Sequence, residues 1–237
     1  MYPRSLSILM TYPLSIIIPV LNEAHAINQT LSRLKVPEGG GGVEILVVDA
    51  DPKGETIHAI TQSHVRKIIG TRGRGAQLNR GAAEASGKIL LFLHADTILP
   101  GGTLKAIVRC MKDADIAGGA FDLGIESEKS VFRLIEAAVY LRTRLTHIPY
   151  GDQAIFLRRD IFHQIGGYKE IPLMEDVELM RRIKRAGGKI IIIPSKVQTS
   201  ARRWEKEGII WCTLRNWTVT ALYLMGISPE RLARYYR

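Results

Sequence analysis

The sequence predicts an α/β protein in which a mostly parallel central sheet is flanked by helices. Between residues 14 and 93, apolar runs alternate with helical patterns in the order β-α-β-α-β-α-β, with short connecting loops. This order is typical of parallel sheets that carry helices on both faces. The fourth run, Ile89 to Leu93, is continuously apolar, as expected of a central strand that is buried on both faces.

The first half of the chain supplies the strands of this parallel unit. The expected strands are residues 14–20, 43–48, 65–69 and 89–93. The expected helices between them are residues 24–34, 56–63 and 76–85, and the first has Ala24, Ile27, Leu31 and Leu34 on one face. Residues 1–12 are expected to be an irregular extension, and Pro37 with Gly39–Gly42 a loose connector.

The second half is expected to mix helices with shorter strands. The expected helices are residues 103–111, 131–144, 159–165 and 177–186, and the expected strands are residues 116–125, 154–157 and 189–193. A long helix over residues 205–226 and a short basic helix over residues 231–237 follow. We therefore expect one domain over residues 1–204, with halves at about 14–100 and 101–204, and a C-terminal helical extension over residues 205–237.

Composition narrows the class of partner. The chain has 237 residues and a formal net charge of +10, which favours nucleic acid, an acidic membrane surface or a phosphorylated substrate. Nucleic acid is disfavoured because no helix-turn-helix, RNP or zinc-finger spacing is present. Cys110 and Cys212 have no CxxC partner and are expected to be reduced thiols of a cytoplasmic protein. No secretory signal or apolar run of spanning length is apparent, so any membrane contact is expected to be peripheral.

Acidic residues follow three of the expected parallel strands. Glu23 follows the first strand, Asp49 and Asp51 the second, and Asp96 the fourth. The carboxyl ends of parallel strands meet at one edge of the sheet, where α/β proteins bind ligands. A carboxylate there can hold a hard cation or a ribose hydroxyl. For Asp96 the alternative is a structural role as the cap of the next helix.

An arginine-rich turn, Gly70 to Gly75, precedes the third helix. It does not match a dinucleotide-binding motif, because Leu78 stands where the third glycine should be and the turn follows the third strand instead of the first. Donors and positive charge still converge there, so the turn can hold phosphates, and the alternative is a flexible surface loop. Common hydrolase and kinase motifs are absent from the sequence, namely a Ser-His-Asp order, HExxH and a P-loop lysine.

A second acidic cluster begins the helix expected at residues 177–186. It consists of Glu175, Asp176 and Glu178. The helix dipole alone favours acids in a first turn, so a capping role is one interpretation. Because Gly151-Asp-Gln153 precedes it along the chain, the cluster also fits the acidic wall of an active site.

Five motifs in this order resemble the family 2 glycosyltransferases, which have the GT-A fold. They are Ser15–Glu23 (SIIIPVLNE), Glu44–Asp49 (EILVVD), Arg72–Asn79 (RGRGAQLN), Leu91–Asp96 (LFLHAD) and Met174–Leu179 (MEDVEL). The resemblance covers almost the whole chain. Three motifs, Gly151–Gln153, Pro172–Asp176 and Ser200–Trp204, are similar to a bacterial subgroup labelled arsenosugar-biosynthesis glycosyltransferases.

The resemblance implies an inverting enzyme that moves a sugar from a nucleotide-diphosphate donor to an acceptor hydroxyl, assisted by Mg²⁺ or Mn²⁺. Residues 14–100 would form the donor half and residues 101–204 the acceptor half. The implied donor-binding residues are Pro19, Leu21, Glu23, Asp49, Asp51, Arg72, Arg74 and Asp96, with Asp49 at the base, the two arginines at the diphosphate and Asp96 at the metal. Asp176, with Glu175 beside it, is the implied base, and the implied acceptor-binding residues are Asp152, Gln153, Arg203 and Trp204.

Two departures from the family pattern leave alternatives open. His94 stands where the family has the first acid of its metal motif, and Asp51 replaces an acid expected directly after Asp49. One alternative is therefore a catalytically inactive sugar-nucleotide-binding protein, and a basic nucleic-acid-binding protein is another. The C-terminal helix, which carries Trp211 and Trp217, either covers the sheet or docks on anionic lipid.

Overall fold

A computed structural model describes residues 13–34, 36 and 42–236. The expectations for residues 1–12, for Pro37 and for most of the glycine connector lie outside these ranges. Within them, eight strands form one sheet in the order β3-β2-β1-β4-β7-β6-β8-β5. The strands are β1 Leu14–Val20, β2 Val43–Asp49, β3 Val65–Ile69, β4 Ile89–Phe92, β5 Thr97–Ile98, β6 Ile116–Glu126, β7 Phe156–Arg158 and β8 Lys189–Ser200.

Helices cover both faces of this sheet. They are α1 Ile27–Arg33, α2 Glu55–His58, α3 Arg74–Glu84, α4 Thr103–Cys110, α5 Ser130–Thr146, α6 Arg159–Gln164, α7 Glu175–Arg185, α8 Arg202–Glu207, α9 Ile209–Leu224 and α10 Pro229–Tyr235. A 3-10 turn spans Gly151–Gln153. In the described part of the chain, each of these helices is too short or too polar to cross a bilayer.

The sheet is mostly parallel, as predicted. Strands β1, β2, β3 and β4 pair in parallel, and so do β6 and β8. Only β7 and the short β5 run the other way among the described strands. Alternate residues of β1 enter different hydrophobic clusters, with Ile16 and Ile18 on one face and Ile17 on the other. Both faces are therefore filled by side chains, which leaves the carboxyl edge of the sheet as the place for a site.

Strand β8 is longer than the sequence predicts. The expected strand ends at residue 193, but β8 continues to Ser200. Its register against β6 jumps from Phe121↔Ile193 to Asp122↔Lys196. This bulge takes up Pro194 and Ser195, and a bulge is where a sheet tolerates a proline that cannot donate to the ladder.

Two further differences concern helix boundaries. The long helix expected over residues 205–226 is divided into α8 and α9 at Gly208, whose φ of +91° interrupts the helical backbone. The suggestion that Asp96 caps the next helix is wrong, because β5 follows directly and α4 begins only at Thr103 after Gly102. Asp96 is thereby left for another role.

Candidate active site

The turn after β2 is organised by Asp49. The residue is fully buried, and its Oδ1 accepts a hydrogen bond of 3.0 Å from the backbone amide of Asp51. Its Oδ2 accepts from the amides of Thr56 at 3.0 Å and Ile57 at 3.3 Å. Asp49 therefore fixes the path from β2 into α2, and its predicted contact with a nucleotide base stays a prediction.

Asp51 has a more local role in the same turn. Its carboxylate accepts hydrogen bonds from the amides of Lys53 at 3.1 Å and Glu55 at 3.3 Å. The neighbouring loop after β1 is tied to this turn, because the Glu23 amide donates to Thr56 Oγ1 at 3.1 Å. The loops that follow β1 and β2 are thus joined at the carboxyl edge of the sheet.

A polar cavity of about 230 Å³ opens between the β1–α1 loop and the end of β4. It brings together Glu23 and Asp96, as the sequence predicts, and adds Arg202, whose Nη2 lies 3.7 Å from Glu23 Oε1. The remaining lining residues are Ala26, Gln29, Thr30, Arg33, Ala95, Thr97, Ile98, Glu126 and Ser200. Partial burial raises the pKa of the Asp96 carboxyl, and its own amide and the charges of Arg202 and Arg74 only partly offset this.

The acids at the start of α7 lie beside the 3-10 turn. Met174 adopts a left-handed backbone conformation with φ +64° and begins α7 at Glu175. Asp176 Oδ2 then accepts a hydrogen bond of 2.5 Å from the Gly151 amide, and its Oδ1 accepts from the Val177 amide at 2.7 Å. Asp176 is thus held between two segments that are 25 residues apart in sequence.

His94 fills the space next to this contact. A Cβ atom added at Gly151 would lie 2.7 Å from His94 Nε2 and 3.2 Å from Asp176 Oδ2, so a larger residue here would displace one of these side chains or the turn. Burial, together with the charge of Arg74, holds the pKa of His94 well below its ordinary value. His94 is therefore a neutral imidazole at pH 7 and packs against the turn that carries Asp152.

Arg74 is the cation of the acidic cluster. Its Nη1 lies 3.5 Å from Glu175 Oε1, and the charges of Glu175, Asp176 and Asp96 all act on its guanidinium. Burial and the nearby Asp176 raise the pKa of Glu175 to about 7, although Arg74 lowers it in part. The half-exposed Arg74 side chain therefore links the predicted metal ligand to the predicted base.

Asp152 is the most unusual carboxylate in the group. Its Oδ1 is buried and has no hydrogen-bond partner among the described residues. Burial, with a smaller contribution from the charge of Asp176, raises its pKa to about 6 against the opposing charge of Arg142. An acid with such a pKa exchanges its proton near neutral pH, which is the property expected of a group that handles a substrate hydroxyl.

Gln153 lies behind the site. It is fully buried, and its Oε1 accepts hydrogen bonds from Arg142, Thr143 and the Tyr150 amide. Its Nε2 donates to Phe121 O at 2.9 Å. A contact between Gln153 and an acceptor would require these bonds to break, so the geometry gives Gln153 the role of holding the 3-10 turn between α5 and β6.

The other predicted acceptor residues also make contacts within the protein. Trp204 packs edge-on against Phe132 of α5, with ring centroids 5.9 Å apart. Arg203 pairs with Glu207 at 3.2 Å, and its guanidinium lies 4.5 Å from the centre of the Tyr236 ring. Both side chains therefore position the C-terminal helices, and their predicted contact with an acceptor stays a prediction.

Three residues that are predicted to bind the sugar donor lie around the same edge of the sheet, and no contact within the described part of the protein indicates their role. Pro19 and Leu21 are partly buried near the end of β1, and Arg72 is exposed in the turn before α3. Their predicted contacts with a nucleotide stay predictions, since a base or a diphosphate is what would engage them.

Two polar residues of α3 that the sequence reasoning missed build the edge. Gln77 Nε2 donates to the carbonyl oxygens of Val20 and Val48, both at 2.8 Å, and so joins the ends of β1 and β2. Asn79 exchanges two hydrogen bonds of 2.8 Å with the backbone of Tyr168. The sequence does contain a signal for a structural role of these two residues, because both amide side chains fall among the buried small residues of a helix next to the arginine-rich turn.

The described residues contain no group of three or more His, Cys, Asp or Glu side chains that could hold a metal ion by themselves. Asp96 lies at the edge of the polar cavity, where its partly buried carboxylate is still open to solvent. Magnesium is commonly held by one or two carboxylates together with substrate phosphates, so the donor set fits an ion that arrives with a diphosphate.

The family model for glycosyl transferase family 2 matches residues 15–169, which contain β1, Asp96 and the turn with Asp152. The chain belongs to glycosyl transferase family 2. This match includes the edge residues from Glu23 to Asp152 and ends before the acids of α7.

Two curated relatives are similar to this family 2 chain. It is 26% identical over 232 residues to the probable glycosyltransferase YdaM of Bacillus subtilis (strain 168), with 83% of this chain and 51% of that protein covered. It is 29% identical over 113 residues to a dolichol-phosphate mannosyltransferase of Pyrococcus furiosus, with 45% of this chain and 32% of that protein covered. The chain thus spans about half the length of the first relative and about a third of the second.

Solved structures share the fold. The mannosyltransferase PcManGT from Pyrobaculum calidifontis, in complex with GDP-Man and Mn²⁺, gives a TM-score of 0.67 at 19% identity and covers 87% of this chain and 60% of its own. Residues 1–349 of TarS from S. aureus give a TM-score of 0.59 at 15% identity, with 79% and 60% covered. The GT-A fold predicted from the sequence is confirmed by these likenesses.

Proposed function

We propose that this protein is an inverting glycosyltransferase that moves a sugar from a nucleotide-diphosphate donor to an acceptor hydroxyl. The observation that carries the proposal is the ion pair of Arg74 with Glu175 beside Asp176, at a site close enough to Asp96 for the charge of Asp96 to act on the Arg74 guanidinium. Membership of glycosyl transferase family 2 supports the same reaction class. In such a transfer, the acceptor oxygen attacks the anomeric carbon from the face opposite the leaving diphosphate.

The donor side of the proposal uses the polar cavity and the turn before α3. Glu23 and Asp96 line the cavity, and Arg74, which pairs with Glu175 of α7, is close enough to Asp96 for the two charges to interact. A Mg²⁺ or Mn²⁺ ion held by Asp96 would neutralise charge that develops on the diphosphate. The similar mannosyltransferase binds GDP-Man with Mn²⁺, which makes GDP-mannose the first donor to test.

The acceptor side of the proposal uses the carboxylates beside the 3-10 turn. Asp176 is held by the Gly151 and Val177 amides, so its carboxylate has a fixed position. It accepts the proton of the acceptor hydroxyl as the new bond forms, and Asp152 orients that hydroxyl. Glu175, whose pKa is raised to about 7, keeps Arg74 in place through their ion pair.

Substitution of Asp176 by Asn tests the proposal. Transfer from a panel of nucleotide sugars that begins with GDP-mannose is expected to fall at least about 100-fold, because one positioned proton acceptor is worth this much. Donor binding, measured by thermal shift with and without Mn²⁺, is expected to remain. Asp160→Asn, in the exposed first turn of α6, is the matched control. Wild-type turnover in Asp176→Asn would remove this residue from the reaction.

A second candidate is an inactive sugar-nucleotide-binding protein. His94 in place of the family's first metal-motif acid favours it, because the site then offers one acid fewer to an ion. Donor hydrolysis in the presence of Mn²⁺ distinguishes the two candidates. Binding without hydrolysis or transfer across the donor panel would support the inactive protein.

The resemblance of three motifs to the arsenosugar subgroup supports including an arsenosugar precursor among the acceptors.

A further inference from the structure

The outer face of α9 is mostly apolar, with the exposed Thr218 as its polar member. The helix has one charged residue, Arg215, and that side chain turns inward to Glu207 and the Tyr236 ring. Cys212 and Val219 are its buried residues. The exposed residues fall at helical spacing in one broad stripe: Ile210, Trp211, Leu214, Trp217, Leu224 and the adjacent Met225, each between 52% and 73% exposed.

Helix α5 carries a second apolar stripe. Leu141 and Leu145 follow Leu134 by seven and eleven residues, which places all three on one face of the helix. Their side chains are 58%, 74% and 73% exposed, respectively. Two of the three arginines of α5 are engaged within the protein, since Arg142 bonds to Gln153 and Arg144 to Asp122. Ten of the twelve large hydrophobic side chains that are exposed in the described part of the chain belong to α5, α9 or the residue after α9.

The two helices that carry these stripes are linked at both ends through shared neighbours. At one end, Phe132 of α5 contacts Trp204, and Ile209 at the start of α9 packs against the same hydrophobic cluster. At the other end, Lys184 of α7 donates to the carbonyl of Thr146, and Arg181 lies 5.9 Å from the Tyr223 ring. Both helices therefore run from this cluster to α7, and we call their combined apolar surface the α5–α9 face.

The segments that form and border this face carry an excess of basic over acidic residues. Residues 129–147 contain four basic residues and one acidic residue, residues 181–185 contain four basic residues, and residues 201–236 contain six basic and three acidic residues. This excess is as large as the net charge of +10 of the whole chain. Exposed cations near the face are Lys184, Arg185, Lys206, Arg231 and Arg234.

We propose that the α5–α9 face docks on an anionic membrane surface. Exposed apolar stripes with two tryptophans, bordered by lysine and arginine, are what an interfacial helix requires. A patch of this extent is unusual on a surface that faces only water. A second copy of the chain fits less well, because it would bring two positively charged surfaces together. The proposal concerns a surface separate from the acids of the candidate active site, and it does not depend on the proposed reaction.

Tryptophan fluorescence gives a direct test. The chain has three tryptophans, of which Trp204 packs against Phe132 while Trp211 and Trp217 are 65% and 53% exposed. Vesicles of phosphatidylcholine with phosphatidylglycerol are expected to shift the emission to shorter wavelength and to co-sediment the protein. Vesicles of phosphatidylcholine alone are expected to bind at least tenfold more weakly, and raised salt is expected to weaken the anionic binding.

Variants locate the contact. The double substitution Trp211→Ser with Trp217→Ser is expected to weaken co-sedimentation at least tenfold without changing the melting temperature, because neither side chain is in a core cluster. Ile69→Ser, at an exposed residue of the edge strand β3, is the matched control and is expected to bind as wild type.

Three results would overturn the proposal. One is the absence of anionic vesicle binding at low salt, and a second is equal binding to neutral and anionic vesicles. The third is a concentration-dependent dimer, seen by light scattering, that the double substitution abolishes, which would assign the face to a second copy. None of these readouts involves sugar transfer, so failure of this proposal and failure of the proposed reaction are distinguishable.

Discussion

The backbone amide of Gly151 donates a hydrogen bond of 2.5 Å to Oδ2 of Asp176. This bond joins the turn that carries Asp152 to the helix that carries Glu175, so three carboxylates share one scaffold. The short approach is possible because residue 151 has no side chain, and His94 occupies the remaining space. The position of the proposed base is therefore sensitive to a single methyl group.

Substitution of Gly151 by Ala tests this sensitivity. The added methyl group would lie 2.7 Å from His94 Nε2 and 3.2 Å from Asp176 Oδ2, so we expect the imidazole, the Asp176 carboxylate or the turn to move. A displacement of about 1 Å at a reacting group costs roughly 100-fold in rate, and we expect a loss of kcat of that size with donor binding retained. Gly101→Ala is the control, since its added Cβ meets no described atom within 4 Å. Unchanged kcat in Gly151→Ala would show that Asp176 does not depend on this turn.

Substitution of Asp152 by Asn is expected to stabilise the protein at alkaline pH. Burial raises the pKa of Asp152 to about 6 from 3.8, so the folded state holds the proton more tightly than the unfolded state. Stability is therefore lost as pH rises from about 4 to about 6, by at most about 3 kcal/mol at 1.36 kcal/mol per pH unit. Asn does not ionise and avoids this cost.

Thermal unfolding at several pH values measures this difference. The melting temperature of Asp152→Asn should exceed that of wild type at pH 8, and the difference should vanish below pH 4. Glu175 remains in both proteins, so the comparison isolates Asp152. An equal difference at all pH values would mean that Asp152 ionises normally in the folded protein.

Substitution of Arg74 by Gln is expected to move the pH dependence of transfer. Burial and Asp176 raise the pKa of Glu175, and the Arg74 charge opposes this rise. Without that charge the pKa of Glu175 rises further. If transfer requires the acidic cluster to be ionised at Glu175, the acidic limb of the kcat/KM profile moves to higher pH. Arg74→Lys is the matched variant: it keeps the charge and should leave the acidic limb near its wild-type position. An acidic limb at the same pH in all three proteins would show that the Arg74 charge does not set the pKa on which transfer depends.

Substitution of Asp49 by Asn separates structure from base recognition. The buried carboxylate accepts three backbone amides, and Asn leaves at least one of them facing an NH₂ group. An unsatisfied buried group costs about 1–3 kcal/mol, which urea unfolding can measure. Asp51→Asn, in the more exposed part of the turn, should cost less. Wild-type stability with lost donor binding in Asp49→Asn would assign Asp49 to the nucleotide instead of the turn.

The sequence was sufficient for the parallel half of the sheet because β1, β2 and β4 are apolar runs whose periodicity is local. Strand β5 was missed because two residues, Thr97 and Ile98, form a strand only through their pairing with β8. The second half of β8 was missed because polar residues and Pro194 interrupt its pattern, and the bulge that accommodates them depends on β6. Both segments are strands only because they pair with a strand that is distant in the sequence.

In the candidate site, too, some features could be predicted from the sequence, whereas others depend on contacts between distant segments. Positions at the ends of strands predicted that Glu23 and Asp96 share a cavity, because topology alone brings strand ends together. The burial of Gln153 was not predictable, since its partners come from α5 and β6. The proximity of His94 to Asp176 likewise depends on the 3-10 turn between them, which no local pattern specifies.

The pair of hydrogen bonds between Asn79 and Tyr168 has a mechanical consequence. It fastens the helix that begins with Arg74 to the segment that leads into Glu175 and Asp176. Lys169 also lies against Gly75, where an added Cβ would be 2.6 Å from the Lys169 carbonyl. The helix that carries Arg74 and the segment before the proposed base are thus fastened together, so we expect an opening motion that admits a substrate to carry both of them as one unit.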